Sequence, residues 1–388
     1  MLHKIHKSIE DLYPETVEIR RYLHQHPELS FKEYKTAQYI ANFYEGLDIP
    51  YKKGVGGNGV VATLKGAKPG KTIALRADFD ALPIQDAKDV PYKSKIDGVM
   101  HACGHDGHTA TLLTLAKVMK SYQDQLPGSI VFIHQHAEEY APGGAKPMIE
   151  AGALKDVDAV FGNHLWATTP VGTIQTSKNV MMAGADRFEI IIQGQGGHGA
   201  YPHETKDSIV IGSQIVTQLQ QIVSRRLDPL ETAVITVGMF EAGNAFNIIA
   251  DTAKLVGTVR HLNTEIQEKV IQEMEKIIKG VCLANECTYT FNYDKGYPPL
   301  VNHPAEAELV MEVSSKVPEV EKVEDIIPVM GGEDFAYYMQ EKPGAFFFTG
   351  AEKEGNHYPH HHPNFDFDER AMLIAAKTLI GAYFAYQD

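Results

Sequence analysis

Thr72-Ile73-Ala74-Leu75-Arg76-Ala77-Asp78-Phe79-Asp80 is a short apolar run that breaks off into two carboxylates. A run of that length and composition predicts a β-strand rather than a helix. Similar runs recur along the chain. Gly59-Val60-Val61-Ala62-Thr63-Leu64, Ser129-Ile130-Val131-Phe132-Ile133 and Ala159-Val160-Phe161 predict further strands, and Thr109 to Met119 predicts a buried helix. Residues 8–47 read as two helices interrupted at His26-Pro27, and Glu369 to Ala385 as a last helix. Strands alternating with helices predict an α/β sheet covered on both faces. In such sheets chemistry gathers where strands end. Asp78 and Asp80 follow one predicted strand, Glu138 and Glu139 a second, and His164 a third.

Met100-His101-Ala102-Cys103-Gly104-His105-Asp106-Gly107-His108 places a thiol and three imidazoles within nine residues of a chain that has only three cysteines. A thiolate two positions from an imidazole is a donor pair suited to zinc or a similar divalent ion. Taken alone, Cys103 reads as a buried inert cysteine. The adjacent His105, and the close backbone approach that Gly104 permits, favour ligation. His108, at a helix start, reads as a packing or hydrogen-bonding residue as readily as a ligand. Glu138 and Glu139 precede the stiff turn Tyr140-Ala141-Pro142-Gly143-Gly144. Near a metal, adjacent carboxylates can divide the labour: one binds the ion and the other takes a proton from the activated water. His164 alone would be a core histidine. His360-His361-His362 could be a polar loop, stiffened by Pro359 and Pro363 on either side.

From Asp186 to Tyr293 the rhythm changes. A strand at Arg187-Phe188-Glu189-Ile190-Ile191-Ile192 leads to a long amphipathic helix from Asp207 to Arg226. Two strands follow (Ala233 to Met239, Ala253 to Arg260), then a helix from Glu265 to Leu283 and a strand from Thr288 to Tyr293. That βαββαβ order is the ferredoxin-like split unit. It predicts a smaller domain at 181–294 inserted into a discontinuous larger one at 1–180 and 295–388. Gly194-Gln195-Gly196-Gly197-His198-Gly199 ends a strand in a glycine-rich turn that does not open a crossover between parallel strands, so it is no dinucleotide fingerprint. It does hold out the His198 imidazole, which suits stabilisation of an oxyanion.

Composition narrows the partners. A formal net charge of −14 disfavours nucleic acid, whose binding rests on clustered Lys and Arg. The one short basic spot, Ser224-Arg225-Arg226, reads as a solvated helix end. No apolar stretch is long enough to span a bilayer or to form a signal peptide, so no membrane association is expected. Cys103, Cys282 and Cys287 do not make a disulfide framework, which favours a reducing cytoplasm.

Arg76-Ala77-Asp78-Phe79-Asp80-Ala81-Leu82-Pro83, the Cys-Gly-His-Asp run, Glu138-Glu139 with Pro-Gly-Gly, Gly-Gly-His198, Gly331-Gly332-Glu333-Asp334-Phe335 and His361-His362-Pro363 occur together and in this order. Jointly they resemble the amidohydrolase branch of the aminoacylase and glutamate-carboxypeptidase-like metallopeptidases, over nearly the whole chain. That branch includes hippurate hydrolases, indole-acetyl-amino-acid hydrolases and N-acetyldiaminopimelate deacetylases. The resemblance implies a two-metal, aminopeptidase-like catalytic domain with an inserted ferredoxin-like dimerisation domain. By motif it implies two divalent ions (zinc, manganese or cobalt) held by Cys103, His105, Glu139, His164 and His361, with Cys103 able to bridge them. Glu138 is then the general base, and His198 the inserted-domain histidine that reaches a partner subunit's active site in relatives. Asn247 and Arg260 match positions that hold the substrate carboxylate. The chain departs from the peptidase branch at Asp78, where peptidases carry a ligating histidine before the shared aspartate, here Asp80.

The expected activity is metal-dependent hydrolysis of an N-acetyl or aromatic-acyl amino acid to a carboxylate and a free amino acid, by a cytoplasmic homodimer. A dipeptidase or carboxypeptidase with the same two-metal site is the alternative among enzymes. A non-catalytic metal- or peptide-binding protein is the alternative of another class. Glu138 argues against the latter, because a binding-only site gains little from a carboxylate that is not a ligand.

Overall fold

A computed structural model describes residues 1–387. The chain divides into two compact units. The first comprises Met1–Met181, Val301–Ile327 and the stretch from Asp334 to the end of the described residues; the second comprises Met182–Leu300 and Pro328–Glu333.

The first unit opens with α1 (Leu2–Asp11), α2 (Tyr13–Gln25) and α3 (Tyr34–Gly46). That is three helices where two were expected. The break at His26-Pro27 is present, but Leu12 and Pro14 at the start of α2 add an earlier one. There follow β1 (Tyr51–Val55), β2 (Gly59–Lys65), β3 (Lys68–Asp78), α4 (His105–Lys120), β4 (Pro127–Gln135), α5 (Ala145–Glu150), β5 (Ala159–Pro170) and β6 (Thr173–Thr176). After them the chain enters the second unit with β7 (Gly184–Gln193), α6 (Ser208–Gln221), β8 (Ala233–Ala242), β9 (Thr252–His261), α7 (Thr264–Ala284) and β10 (Thr288–Tyr297). It returns through α8 (Pro304–Ser314), β11 (Lys322–Asp325), α9 (Ala336–Glu341), β12 (Gly344–Glu352) and α10 (Arg370–Ala385).

The large sheet of the first unit runs β1-β2-β4-β3-β5-β12-β6-β11. Its centre is parallel: β3 lies between β4 and β5, and β5 pairs with β12. The β1–β2 and β2–β4 pairs are antiparallel. In the parallel register Asp78 stands opposite Gln135, so the segments carrying Asp80 and Glu138 leave the sheet side by side. Arg76 stands opposite Gly162, which sets His164 level with Asp78. His164 therefore lies inside β5 rather than after it. The strand runs on to Pro170 because β12 goes on pairing with it beyond the end of β3.

Helix α4 is buried over almost its whole length, and Leu112, Leu113, Leu115 and Met119 join the core that α10 completes with Ile374, Leu379 and Ile380. It begins four residues earlier than expected, at His105. Gly104, at φ 102°, takes the left-handed conformation that glycine adopts at little cost, and this lets the chain turn directly into the helix.

In the second unit the four strands are antiparallel in the order β8-β9-β7-β10, the ferredoxin-like arrangement. Phe188, Ile190 and Ile192 of β7 point at every second position into a core with Ile211 and Ile215 of α6 and Val270, Met274 and Ile278 of α7. Helix α6 is shorter than expected. It ends at Gln221, and Ile222–Arg226 continue as a single π-helical turn. Among the described residues no helix is long and apolar enough to cross a membrane. Cys103, Cys282 and Cys287 are all free.

Candidate functional site

Four segments of the first unit converge where the parallel strands end. They are the residues after β3, the turn after β4, the first turn of α4 and β5 itself; the His360-His361-His362 loop joins them. Asp78, Asp80, His105, Glu138 and His164 are buried, whereas the His361 side chain is about half exposed.

The histidines are oriented by partners on one nitrogen each. His105 Nδ1 lies 3.0 Å from the Asp80 carbonyl oxygen and 3.1 Å from Asp80 Oδ1. A proton on Nδ1 satisfies both acceptors and leaves Nε2 as a lone pair, and that atom is buried with no hydrogen-bond partner. His164 Nδ1 donates to the Leu165 carbonyl at 2.9 Å, which turns Nε2 toward Cys103 Sγ at 3.3 Å. His361 takes φ 65° and donates its backbone N–H to the Ala102 carbonyl at 2.8 Å, bringing its Nε2 to 3.2 Å from Glu139 Oε2. Glu139 Oε1 is buried without a hydrogen bond and lies 3.7 Å from His105 Nε2, while Glu138 Oε2 lies 3.9 Å from it. Fixing the imidazole by a carboxylate or carbonyl on the far nitrogen is how proteins present histidine to a metal.

The donor atoms of Cys103, His105 and His164 lie within 4.8 Å of one another, as do those of Cys103, Glu139 and His361 and those of His105, Glu138 and Glu139. Cys103 is common to the first two triads. The electrostatics fit divalent cations. Burial, followed by the Glu139 and Glu138 carboxylates, pushes the Cys103 thiol well up. Burial disfavours charge on His105, but Asp78, Asp80 and Glu139 outweigh it and raise that imidazole to about 10. So many acidic groups around one imidazole hold a proton where a dication could sit, and a dication would favour the thiolate in place of the thiol. Buried donors without partners, the negative surroundings and the mixed sulfur, nitrogen and oxygen set all suit zinc, manganese or cobalt.

Other residues singled out in the sequence sit differently. Asp78 is engaged on both oxygens, by His108 Nδ1 at 2.6 Å and Arg76 Nη1 at 2.6 Å. His108 accepts the Leu165 N–H on Nε2 at 2.9 Å, so both its nitrogens are occupied. His360 accepts the Ala167 N–H at 3.1 Å, and His362 accepts the Asn364 N–H at 3.0 Å while stacking on Tyr358. Of the three consecutive histidines, His361 is the one whose donor atom lies within 4.8 Å of those of Cys103 and Glu139.

The second unit carries His198, Asn247 and Arg260. His198 pairs with Ile248 in a two-residue strand, and Gly199 N–H donates to the Asn247 carbonyl at 2.8 Å, so these two residues share one exposed turn. Arg260, on β9, is half-buried, and burial lowers its pKa.

Sequence reading missed the support behind the cluster. Ser30 Oγ donates to Asp80 Oδ2 at 2.7 Å, and the Glu139 N–H donates to the same oxygen at 3.0 Å. Asp106 accepts from Arg20 Nε and His24 Nδ1, each at 2.8 Å. The pairing of α2 with α4 through buried charge has no local sequence signature; an arginine in an otherwise amphipathic helix looks solvated until its partners are known.

The peptidase family M20/M25/M40 matches residues 74–383. The chain is 54% identical over 385 residues to a Bacillus subtilis protein named for a conjectured amidohydrolase activity, covering 99% of this chain and 97% of that one. It is 41% identical to thermostable carboxypeptidase 2 of Saccharolobus solfataricus, over 97% of this chain and 96% of the relative. It is 46% identical to an N-acyl-L-amino acid amidohydrolase of Geobacillus stearothermophilus, over 77% and 81%. Among solved structures it is similar to a Bacillus subtilis dinuclear metal-binding peptidase of the M20 family, with TM-score 0.84 and 33% identity over 98% of this chain and 99% of that one. The chain belongs to the M20/M25/M40 peptidase family, within its amidohydrolase branch.

Proposed function

We propose that this protein hydrolyses the amide of N-acyl amino acids, releasing a carboxylate and a free amino acid. The observation that carries the reading is the position of Glu138. It is a buried carboxylate 3.9 Å from His105 Nε2, outside the two triads that share Cys103. Cys103, His105, Glu139, His164 and His361 would hold two divalent ions, of zinc, manganese or cobalt. When bound, such ions acidify water and polarise a carbonyl oxygen. Glu138 takes the proton of the attacking water and returns it to the leaving nitrogen as the amide C–N bond breaks. His198 is the proposed oxyanion donor, and Asn247 and Arg260 the partners of the substrate's carboxylate.

A homodimer through the second unit is part of the proposal. Strand β8 is an edge of its sheet and leaves Val234, Met239 and Phe240 exposed, the kind of apolar edge that natural proteins otherwise cover.

The test is amine release from N-acetyl amino acids, N-benzoyl amino acids and dipeptides, with and without chelator, by the wild type and Glu138→Gln. Chelator-sensitive turnover of the acyl amino acids that vanishes in Glu138→Gln is the expected result. Wild-type kcat in Glu138→Gln would remove that residue as the base. A second reading, carboxypeptidase, has the Saccharolobus relative in its favour and would appear as a preference for dipeptides.

A further inference from the structure

Glu33 is fully buried at the start of α3, and the proposed chemistry leaves it unused. Its Oε1 accepts the N–H of Phe31 and the N–H of Ala137, both at 2.9 Å, and its Oε2 accepts from Asn58 Nδ2 at 2.9 Å. Phe31 and Ala137 share an uncommon feature: neither is glycine, yet they stand at φ 66° and φ 53°. L-residues persist in the left-handed region only where their surroundings hold them there. Ala137 is fully buried and directly precedes Glu138 and Glu139, so its backbone conformation sets the direction in which both carboxylates leave β4. The same turn before α3 supplies Ser30 to Asp80, at 2.7 Å.

We propose that Glu33 is a positioning residue for hydrolysis, holding the Ala137 turn so that Glu138 and Glu139 face the donor cluster. The proposal rests on the reading of Glu138 as the base. Glu33 acts on the backbone ahead of the two carboxylates, through the Ala137 amide. Burial raises its own carboxyl to about 7, so the neutral amide of glutamine is a close stand-in. In Glu33→Gln the retained oxygen accepts both N–H groups, and a half-turn of the Asn58 amide presents an oxygen to the new NH2.

The experiment measures kcat and KM on an N-acetyl amino acid for holoenzyme carrying Glu33→Ala, Glu33→Gln or Glu138→Gln. Deuterium uptake is followed in the peptide containing Ala137. Glu33→Ala is expected to lower kcat by about 10–100-fold, with KM within about twofold of wild type, and to speed exchange at the turn. Glu33→Gln is expected to restore kcat to within about threefold and to restore protection. If Glu33→Ala does not fold, Glu33→Asp replaces it; its carboxylate is one methylene too short, and the same losses are expected. Wild-type kcat in the alanine or aspartate variant, a loss carried by KM, or equal losses in the alanine and glutamine variants would overturn the proposal. An inactive Glu138→Gln beside a fully active Glu33→Ala removes Glu33 alone, whereas an active Glu138→Gln removes the catalytic reading itself.

Discussion

Asp80 Oδ1 lies 3.1 Å from His105 Nδ1, while Oδ2 of the same carboxylate accepts the Glu139 N–H at 3.0 Å. One side chain at the end of β3 thus fixes two of the proposed ligands, the imidazole by its tautomer and the carboxylate by its backbone. Burial opposes charge on Asp80, but the hydrogen bonds from His105, Glu139 and Ser30 hold its carboxyl below the usual range. Asp80→Ala is expected to weaken manganese binding to chelator-treated protein by about 10–100-fold, measured by isothermal titration. Unchanged affinity would show that His105 holds its orientation by packing alone.

Cys103 belongs to two donor triads and His361 to one. Elemental analysis after purification should therefore find more metal lost from Cys103→Ala than from His361→Ala. Equal losses would mean that the thiol serves one ion only, and full occupancy in Cys103→Ala would remove it from the ligand set.

Local patterns carried much of this structure. The period of two in Arg187–Ile192 and the order of elements after it specify the ferredoxin-like sheet, because each strand buries alternate residues against α6 and α7. The strand end was legible for β3, where the apolar run stops at Asp78, whereas β4 runs two residues past its apolar run to Gln135. The end was not legible for β5, whose length is set by pairing with β12, nearly two hundred residues away in sequence. The proximity of Cys103 to His105 could be read from spacing. The orientation of each ring could not, because it depends on Asp80 and on the Leu165 carbonyl. Glu33 and Ser30 lay beyond local reading altogether, since what makes them informative is an amide and a carboxylate that the fold brings to them.

Arg20 is wholly buried between Asp106 and Asp366, at 2.8 and 2.9 Å, and its guanidinium also covers the ring of Phe367. Replacing it with methionine keeps most of the volume but withdraws the guanidinium from two buried carboxylates, leaving Asp106 with His24 and Asp366 with Tyr92 and Lys353. A loss of at most about 3–5 kcal/mol in urea unfolding is expected, the range for buried pairs broken on one side with no other partner. Arg20→Met combined with Asp106→Asn and Asp366→Asn should recover part of that loss. If the single variant unfolds at the wild-type urea midpoint, the network contributes nothing measurable.

Acid stability should report the same network. Burial disfavours the charged form of Asp366, but Arg20, Lys353 and the Tyr92 hydroxyl outweigh it and hold the carboxyl well below the usual range. Burial likewise opposes charge on Asp86, where His24, the Ser94 N–H and Lys88 prevail. A carboxyl whose folded pKa is depressed binds its proton more readily when unfolded. Its contribution is therefore complete above the unfolded value of about 3.9 and is lost as pH falls through the folded one. Glu33 and Asp334, raised by burial to about 7 and about 6, act in the opposite sense at higher pH, so the informative window lies below about pH 4. In that window each depressed carboxyl steepens the fall of unfolding free energy by at most about 1.4 kcal/mol per pH unit. Asp366→Asn should be less stable than wild type at pH 7 and decline less steeply below pH 4, read from urea midpoints at a series of pH values. Parallel declines in the two proteins would show that the Asp366 carboxyl titrates alike in the folded and unfolded chains.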